Sequence, residues 1–469
     1  MNDDLNRTAL KAGIWYTFSN FLTKGIFVLT TPVFSRIMTK ADYGYFSNYA
    51  SWLSLLAILT TLNLSASIVQ AKFDFADDLD GYLSSMQLGG TAITAACYGF
   101  VLLFQGFFTK LFQLDMAYVH IMFLYLLVSP AFELLHSRHR QMFKYRAATI
   151  IAIVSTVLSV GASVLLTMTM ENRLRGRILG QTGTLFLFYF ALYIFIICKG
   201  KKFSRDYFKY AIAIALPLIP HLLSNNILAT TDRIMITHFW GTEATALYSV
   251  VYTCSLVINL LSNALNQAWA PLLNQNLHDK NYDNIRNIHK ILIVLFCSVC
   301  MVLILLGPEV VLVIAGQQYM QSVSIMPPIM MGCVMFFLYT HYVNVEIYHK
   351  KTLGISLRTI VAAGFNLIAN FLLIPALGYE AAAYTTLGGY IILFAMHYFA
   401  GLQLGTRDFY DNRFIIKSAL FMMAFSATAL FSYSHPWLRF CLLGFIVCSL
   451  AAIAIKYRNK ISSIVRILK

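Results

Sequence analysis

Lys24 is the residue whose position is hardest to explain by a purely structural role. It lies thirteen residues after Lys11 and twelve before Arg36, inside a long apolar stretch. In a helix with a rise of 1.5 Å per residue, it would sit roughly 18 Å from the outer end. A cation at that depth in a bilayer costs several kcal/mol unless it meets water or an anion. We therefore predict that Lys24 lines an aqueous cavity that receives an anion. The alternative is an ion pair with an acidic residue such as Glu133.

A second group of polar residues follows the segment 217–220, which holds two prolines that break helical hydrogen bonds and permit bending. His221, Asn225 and Asp232 come next at spacings of four and seven, so they share one helix face. A polar stripe on a membrane helix should face a cavity, and we predict substrate contact here. For Asp232 and the adjacent Arg233, the alternative is a structural ion pair at the membrane interface.

Asn366 and Asn370 lie one helical turn apart in a later apolar stretch. Membrane asparagines commonly form hydrogen bonds between helices. Interhelical bonding and substrate contact therefore remain two alternatives for this pair.

Sequence patterns of enzymes and metal sites are missing. The chain has no Walker loop, HExxH motif or nucleophile elbow, so we expect a protein that is not an enzyme and that needs no cofactor. Without an ATP site, any transport would be driven by an ion gradient, the membrane potential or a substrate gradient, with Na⁺ or H⁺ as candidate coupling ions. The eight cysteines lie in or beside apolar stretches. We expect them to pack as small apolar residues, with no disulfide and no metal site.

These candidates lie within apolar stretches that dominate the sequence. The composition is 59% hydrophobic and only 12% charged, whereas soluble domains carry about 25% charged residues. Fourteen stretches between Lys11 and Lys456 are each about long enough to span a bilayer, which takes ~20 helical residues. They include residues 9–36, 208–236 and 244–270. We therefore predict an all-α polytopic membrane protein with little structure outside the membrane.

Lysine and arginine are distributed unevenly between the two sides of these predicted helices. The loops on the side of the termini hold 26 of the 35 basic residues, so the positive-inside rule places both termini in the cytoplasm. The net charge of +15 is scattered over these loops without a contiguous basic domain, which argues against nucleic-acid binding and favours contact with membrane lipids. Four arginines lie near membrane boundaries, where they either guide a phosphate headgroup or only fix the topology: Arg36, Arg138, Arg140 and Arg358.

The chain repeats weakly with an offset near 200 residues. Ser-Arg-Ile-Met at 35–38 corresponds to Asp-Arg-Ile-Met at 232–235, and an aromatic-rich segment follows each. We predict two pseudo-symmetric six-helix lobes around a central cavity, at 1–200 and 201–405, and two additional helices with a basic tail at 406–469. Duplicated halves around a central site are typical of alternating-access transporters.

Several segments resemble one family of transporters. Residues 370–383 are similar to the Asn-x-x-x-Ile-Pro-x-x-Gly-x-x-Gly-Ala-Ala signature of polysaccharide-repeat-unit flippases, with Ala381 where the pattern usually has glycine. Further segments with this resemblance are 35–36, 42–44, 216–221, 232–236, 247–252 and 266–271. The resemblance extends over nearly the whole chain and includes the number of helices.

This resemblance implies the fold of the multidrug/oligosaccharidyl-lipid/polysaccharide (MOP) exporter superfamily. It implies a flippase that moves undecaprenyl-pyrophosphate-linked oligosaccharide across the bacterial cytoplasmic (inner) membrane, for O-antigen, capsule or exopolysaccharide. A polysaccharide polymerase and a chain-length regulator would be its partners. Lys24 would bind the pyrophosphate, and Arg36 and Arg233 would be outward contacts. His221, Asn225 and Asp232 would contact the glycan or couple transport to an ion.

Three other functions are weighed against this one. A multidrug cation antiporter of the same superfamily needs intramembrane carboxylates in a largely apolar cavity, whereas this cavity is predicted to hold Lys24. A polysaccharide polymerase or ligase needs a large outer loop, and the longest predicted outer break, around 171–177, is under ten residues. A purely structural membrane scaffold would leave Lys24 unexplained.

Overall fold

The computed structural model describes residues 2–456, with the side chains of residues 15–448 except those at 16–18, 20 and 27. Within residues 2–456 the chain is almost entirely helical and no strand occurs. This confirms the predicted all-α class. The predicted basic tail beyond residue 456 lies outside the described residues.

Twenty α-helices follow one another along the described chain, most of them joined by short turns. The first ten are α1 (Asn2–Ile37), α2 (Lys40–Thr61), α3 (Ile68–Asp74), α4 (Leu79–Leu103), α5 (Gln105–Phe112), α6 (Met116–Val128), α7 (Pro130–Gln141), α8 (Tyr145–Thr169), α9 (Arg173–Ile178) and α10 (Thr184–Gly200). The other ten are α11 (Arg205–Ala215), α12 (Ile219–His278), α13 (Tyr282–Leu305), α14 (Gly307–Ala315), α15 (Met326–Tyr348), α16 (Thr352–Leu377), α17 (Ala381–Gln403), α18 (Thr406–Phe409), α19 (Asn412–Ser432) and α20 (Pro436–Lys456).

Many of these helices can cross a membrane. In the described part of the chain, ten stretches are long and apolar enough to do so, and a bent pair, Lys40–Thr61 with Leu64–Asp74, raises the number to eleven. The predicted polytopic membrane class is therefore confirmed. The count of about fourteen stays a prediction, since the stretch Arg205–His278 counts once although it contains the predicted spans 208–236 and 244–270.

Gly241 interrupts α12 between those two predicted spans. Its φ of 79° and ψ of 179° lie outside the helical range. A straight helix of 60 residues would extend ~90 Å, about three times the thickness of the hydrocarbon core. Because glycine has no Cβ, it adopts this conformation without steric cost. The bend thus divides one long helix into two segments of membrane-spanning length.

The chain divides into two compact units, each built from two separate stretches of sequence. Unit 1 comprises Met1–Val257 and Thr359–Ala382, and unit 2 comprises Ile258–Arg358 and Ala383–Lys469. The predicted boundaries near residues 200 and 405 rest on the internal repeat, and that division into symmetric lobes stays a prediction.

The core of unit 1 joins helices that are far apart in its long segment. Tyr82 and Met86 of α4, Leu134 of α7, Ile196 of α10 and Ala215 of α11 belong to one buried cluster. Within a membrane, close van der Waals packing of this kind holds helices together, because lipid tails are as apolar as the side chains.

The core of unit 2 is rich in rings. Phe296 of α13 and Phe337 of α15 stack with centroids 4.1 Å apart. Next to them, His289 lies 4.2 Å from the Tyr410 ring and 5.6 Å from Trp269. Large planar side chains thus tie α13 and α15 to the last third of α12 and to the short segment between α18 and α19.

We expect Gly44→Ala to destabilise the protein by about 1–3 kcal/mol, the usual range for overpacking. A Cβ at Gly44 of α2 would lie 1.7 Å from the backbone oxygen of Thr242, and backbone cannot rotate away as a side chain can. The matched control is Gly161→Ala on α8, where nothing lies within 4 Å of the added carbon. This control should be neutral or stabilising, since alanine is favoured over glycine in helices by ~1 kcal/mol. Thermal unfolding in detergent measures both, and equal midpoints would contradict the close approach at Gly44.

Candidate functional site

A buried polar network in unit 1 joins α12 to α16. Asp232 is 1% exposed. It accepts a 2.5 Å hydrogen bond from the Tyr248 hydroxyl and a 2.7 Å hydrogen bond from Nδ2 of Asn370. The same Nδ2 lies 3.2 Å from Oδ1 of Asn366, and both asparagines are fully buried. The structure therefore brings together three residues that the sequence predicted separately.

The bend at Gly241 makes this network possible. It turns the second segment of α12 back beside the first, so that Thr237 and Thr245 form a 2.7 Å hydrogen bond and Tyr248 reaches Asp232. Trp240 donates a 2.7 Å hydrogen bond to the backbone oxygen of Ile374, which fixes α16 against the bend in α12. The geometry leaves one buried carboxylate that accepts hydrogen bonds from a hydroxyl group and an amide group.

His221 and Asn225 form a pair of their own. Nδ2 of Asn225 lies 3.1 Å from Nε2 of His221, as expected for residues one turn apart. Asn225 is exposed and His221 is half-buried. Asp232 lies on the same predicted face but is engaged with Tyr248 and Asn370 instead. The pair therefore offers polar groups to a ligand, whereas Asp232 is enclosed.

Lys24 projects from α1 with an exposed side chain. Among the residues that the structure describes, it forms no hydrogen bond or ion pair, and the alternative pairing with Glu133 does not occur. Its predicted role in binding an anion stays a prediction.

The two predicted outward contacts have local partners. Arg36 is exposed and donates a 2.9 Å hydrogen bond to the backbone oxygen of Pro32, one turn earlier in α1. Arg233 is half-buried, with its guanidinium carbon 4.2 Å from the centre of the Tyr252 ring. Such a cation–π contact orients the side chain without neutralising its charge.

A polar cavity in unit 1 was not predicted from the sequence. It has a volume of about 380 Å³, within the usual range of small-molecule sites, and polar groups on its wall include Ser54, Tyr125, Glu133, Tyr189 and Asn226. Asn226 donates a 2.7 Å hydrogen bond to Ser54, which joins α12 to α2 on one wall. The carboxylate of Glu133 is the charged group of the lining. The sequence had drawn attention to Glu133 only as a possible partner of Lys24.

A buried ionic cluster in unit 2 was also missed. Glu346 is 1% exposed and accepts hydrogen bonds from Arg358 at 2.5 Å and from Nδ1 of His397 at 2.7 Å. His397 is fully buried, and its ring stacks on Tyr339. The cluster ties α15, α16 and α17 together. Arg358 therefore anchors a buried carboxylate, which neither of its two predicted roles included.

Comparison of the sequence with known families identifies one match. The family model described as "Polysaccharide biosynthesis protein" matches residues 9–277, more than half of the chain. No curated protein sequence matches significantly.

Solved membrane transporters share the fold. The lipid II flippase MurJ in an inward closed conformation aligns with a TM-score of 0.70 and 14% identity, over 96% of this chain and 100% of that chain. An inward-facing multidrug resistance MATE family transporter of the MOP superfamily aligns with a TM-score of 0.57 and 13% identity, over 81% of this chain and 98% of that chain. A MOP superfamily transporter from Pyrococcus furiosus aligns with a TM-score of 0.57 and 11% identity, over 84% and 96%. At such identities the likeness concerns the fold alone, which is the MOP fold that the sequence predicted.

Proposed function

Because the chain belongs to the family of polysaccharide biosynthesis proteins and has a MOP transporter fold, we propose that it is a flippase for lipid-linked oligosaccharides. Its substrate would be an undecaprenyl-pyrophosphate-linked repeat unit of a surface polysaccharide, such as O-antigen, capsule or exopolysaccharide. It would carry this substrate across the bacterial cytoplasmic membrane by alternating access. It acts as a transporter rather than as an enzyme.

The family match over residues 9–277 carries this proposal. The whole-length likeness in fold to a lipid II flippase supports it, since that protein also moves a lipid-linked molecule. The composition gives independent support, because most of the described chain lies in helices apolar enough to cross a membrane, where the protein would act.

The polar groups of unit 1 suit the parts of such a substrate. Lys24 would bind the pyrophosphate through charge-assisted hydrogen bonds. The cavity around Glu133 would accept sugar hydroxyls, because it combines a carboxylate with amide, hydroxyl and aromatic groups. The polyprenyl tail needs no polar site and would remain in the bilayer.

The Asp232 network would couple transport to an ion gradient. The carboxylate of Asp232 is 1% exposed and is stabilised there by the hydrogen bonds from Tyr248 and Asn370. Binding of H⁺ or Na⁺ would change these hydrogen bonds. These bonds connect α12 with α16, so occupation of the site would alter the contact between two helices.

A second candidate function is a multidrug cation antiporter of the same superfamily. The membrane carboxylates Asp232 and Glu133 favour it, since exporters of organic cations use such groups. Lys24 opposes it, because an exposed cation would repel the cargo.

The test is the pool of lipid-linked oligosaccharide in cells that lack this chain. Repeat units should accumulate on the cytoplasmic face, protected from a membrane-impermeant glycosidase added outside. The mass of the accumulated glycan would identify the cargo.

Two other outcomes would overturn the proposal. An unchanged pool with normal surface polymer would favour drug export instead. Accumulation of repeat units on the outer face, where the glycosidase reaches them, would indicate a polymerase or ligase.

A further inference from the structure

Unit 2 contains a basic cavity, formed by the start of α13, the end of α17, and the segment 407–413 around α18 and the start of α19. The cavity has a volume of about 670 Å³, within the range of ligand sites. Its charged and amide-bearing wall residues are Arg286, Lys290, Arg407, Asp411, Asn412 and Arg413. Four cations and one carboxylate give this wall a net charge of +3.

The carboxylate is already used within the protein. Asp411 accepts a 2.6 Å hydrogen bond from Lys290 and a 3.1 Å hydrogen bond from the backbone N–H of Phe414, which caps α19. The contact with Lys290 holds the pKa of Asp411 below its usual value, so the carboxylate stays ionised at neutral pH. Asp411 thus neutralises one of the four cations, Lys290, and fixes it on the wall.

The other cations are not neutralised in this way. Arg286 donates a 2.9 Å hydrogen bond to the backbone oxygen of Asp408, and its nearest carboxylate, Asp283, is 3.5 Å away with a side chain 90% exposed. Water strongly screens an ion pair that is exposed to this extent. Arg407 and Arg413 are exposed and form no hydrogen bond or ion pair with any residue that the structure describes.

Asn412 adds a neutral donor to the same wall. Its Oδ1 accepts a 2.8 Å hydrogen bond from the Tyr342 hydroxyl, while its Nδ2 is buried and has no partner among the described residues. A buried donor without an acceptor costs free energy. An oxygen-bearing ligand in the cavity would remove this cost.

We propose that the basic cavity binds a phosphate group carried by an anionic ligand. Arginine guanidinium groups pair with phosphate oxygens through two parallel hydrogen bonds, and Lys290 and Asn412 supply further donors. The positive-inside prediction places 286–290 and 407–413 on the cytoplasmic side, where the leaflet is rich in anionic lipids. Two sources share this chemistry, namely the phosphodiester of an anionic lipid headgroup and a soluble phosphate.

The experiment uses the purified full-length protein in a non-ionic detergent. The rise of the unfolding temperature with ligand concentration gives an apparent affinity. The probes are phosphatidylglycerol in mixed micelles and inorganic phosphate. Their controls are phosphatidylcholine and chloride at the same ionic strength.

The decisive variant combines Arg407→Gln with Arg413→Gln, which removes two exposed cations without breaking a contact of the described residues. We expect it to bind phosphatidylglycerol at least about tenfold more weakly, because it loses charge-assisted hydrogen bonds from two guanidinium groups to the phosphate. The matched control combines Lys351→Gln with Lys417→Gln, two exposed lysines of unit 2 outside the cavity lining, and its affinity should stay within about twofold of the unsubstituted protein.

Each outcome of this experiment either identifies the source of the phosphate group or overturns the proposal. Binding of phosphatidylglycerol alone, weakened only by the cavity variant, identifies a lipid headgroup. Binding of inorganic phosphate with the same dependence identifies a soluble phosphate. Equal affinities of the cavity variant and the control variant for both probes would overturn the proposal. The site lies within unit 2 and is independent of the proposed transport activity, so loss of flipping is not one of its readouts.

Discussion

Asp232→Asn is expected to reduce ion-driven transport of lipid-linked oligosaccharide by more than about tenfold, while the protein still folds. The substitution removes the buried negative charge but keeps the shape of the side chain. Oδ1 can still accept from Asn370, and the new amide can face Tyr248, whose hydroxyl accepts as well as donates. We therefore expect the fold to survive the loss of this buried charge. The measurement is flipping of a labelled substrate in proteoliposomes under an imposed Na⁺ or H⁺ gradient.

Two further variants make this result specific. Asp206→Asn changes an exposed carboxylate in the first turn of α11 and should leave transport unchanged. Tyr248→Phe keeps the charge of Asp232 but removes one of its donors. It should shift the ion concentration needed for transport rather than abolish transport. Wild-type rates of Asp232→Asn under both gradients would exclude this site from coupling.

The gradient that drives the unsubstituted protein identifies the ion. If a Na⁺ gradient suffices at equal pH on both sides and Asp232→Asn no longer responds to it, the result supports Na⁺ binding by the carboxylate. If only a pH gradient works, the carboxylate binds a proton, and the asparagine variant mimics the protonated state permanently.

Sequence periodicity predicted the part of this network that lies within one helical turn but not its contacts between residues far apart in the chain. Asn366 and Asn370 are four residues apart, and a helix necessarily places them on one face. Their partner Asp232 is 138 residues away from Asn370 in the chain, and nothing in the spacing of either helix connects the two. Tyr248 lay in a segment noted for its repeat, yet its contact with Asp232 depends on the bend at Gly241.

Composition predicted the all-α membrane class because a charge-poor, apolar chain can satisfy its backbone in a bilayer only as helices or as closed barrels. The number of membrane spans was harder to predict from the sequence. The α12 helix is continuous by hydrogen bonding past Gly241 although it changes direction there, so a single helix contains two of the predicted spans.

The cluster of Glu346, Arg358 and His397 illustrates a further limit. Glu346 and Arg358 lie near helix ends, where charged residues usually face water or headgroups. Only the packing of α15, α16 and α17 reveals that these two residues and His397 meet in a buried site. The sequence pattern of one helix cannot distinguish a charge that is buried in this way from a charge that only fixes the membrane topology.

The environment of Lys24 follows from its depth together with its exposure. Its side chain is exposed and has no partner among the described residues. It lies twelve residues, or roughly 18 Å, from Arg36 near the end of α1. A lysine at that distance cannot reach the headgroups by extending its side chain, and direct exposure to lipid tails costs several kcal/mol. We therefore expect Lys24 to face a water-filled space, where its charge would be available to an anion.

Lys24→Ala is expected to reduce surface polysaccharide by about 10- to 100-fold, the effect of losing a hydrogen bond between charged groups. Lys24→Gln should be equally impaired, because it keeps much of the side-chain length but not the charge, whereas Lys24→Arg should retain part of the activity through a guanidinium–pyrophosphate contact. The matched control is Lys110→Ala, an exposed lysine near the end of α5, which should leave polymer unchanged. Polymer is quantified in cells complemented with each variant, alongside the amount of protein in the membrane fraction. Normal polymer with Lys24→Ala would refute the anion site. Partial activity of Lys24→Arg together with no activity of Lys24→Gln would identify positive charge as the property that the substrate requires.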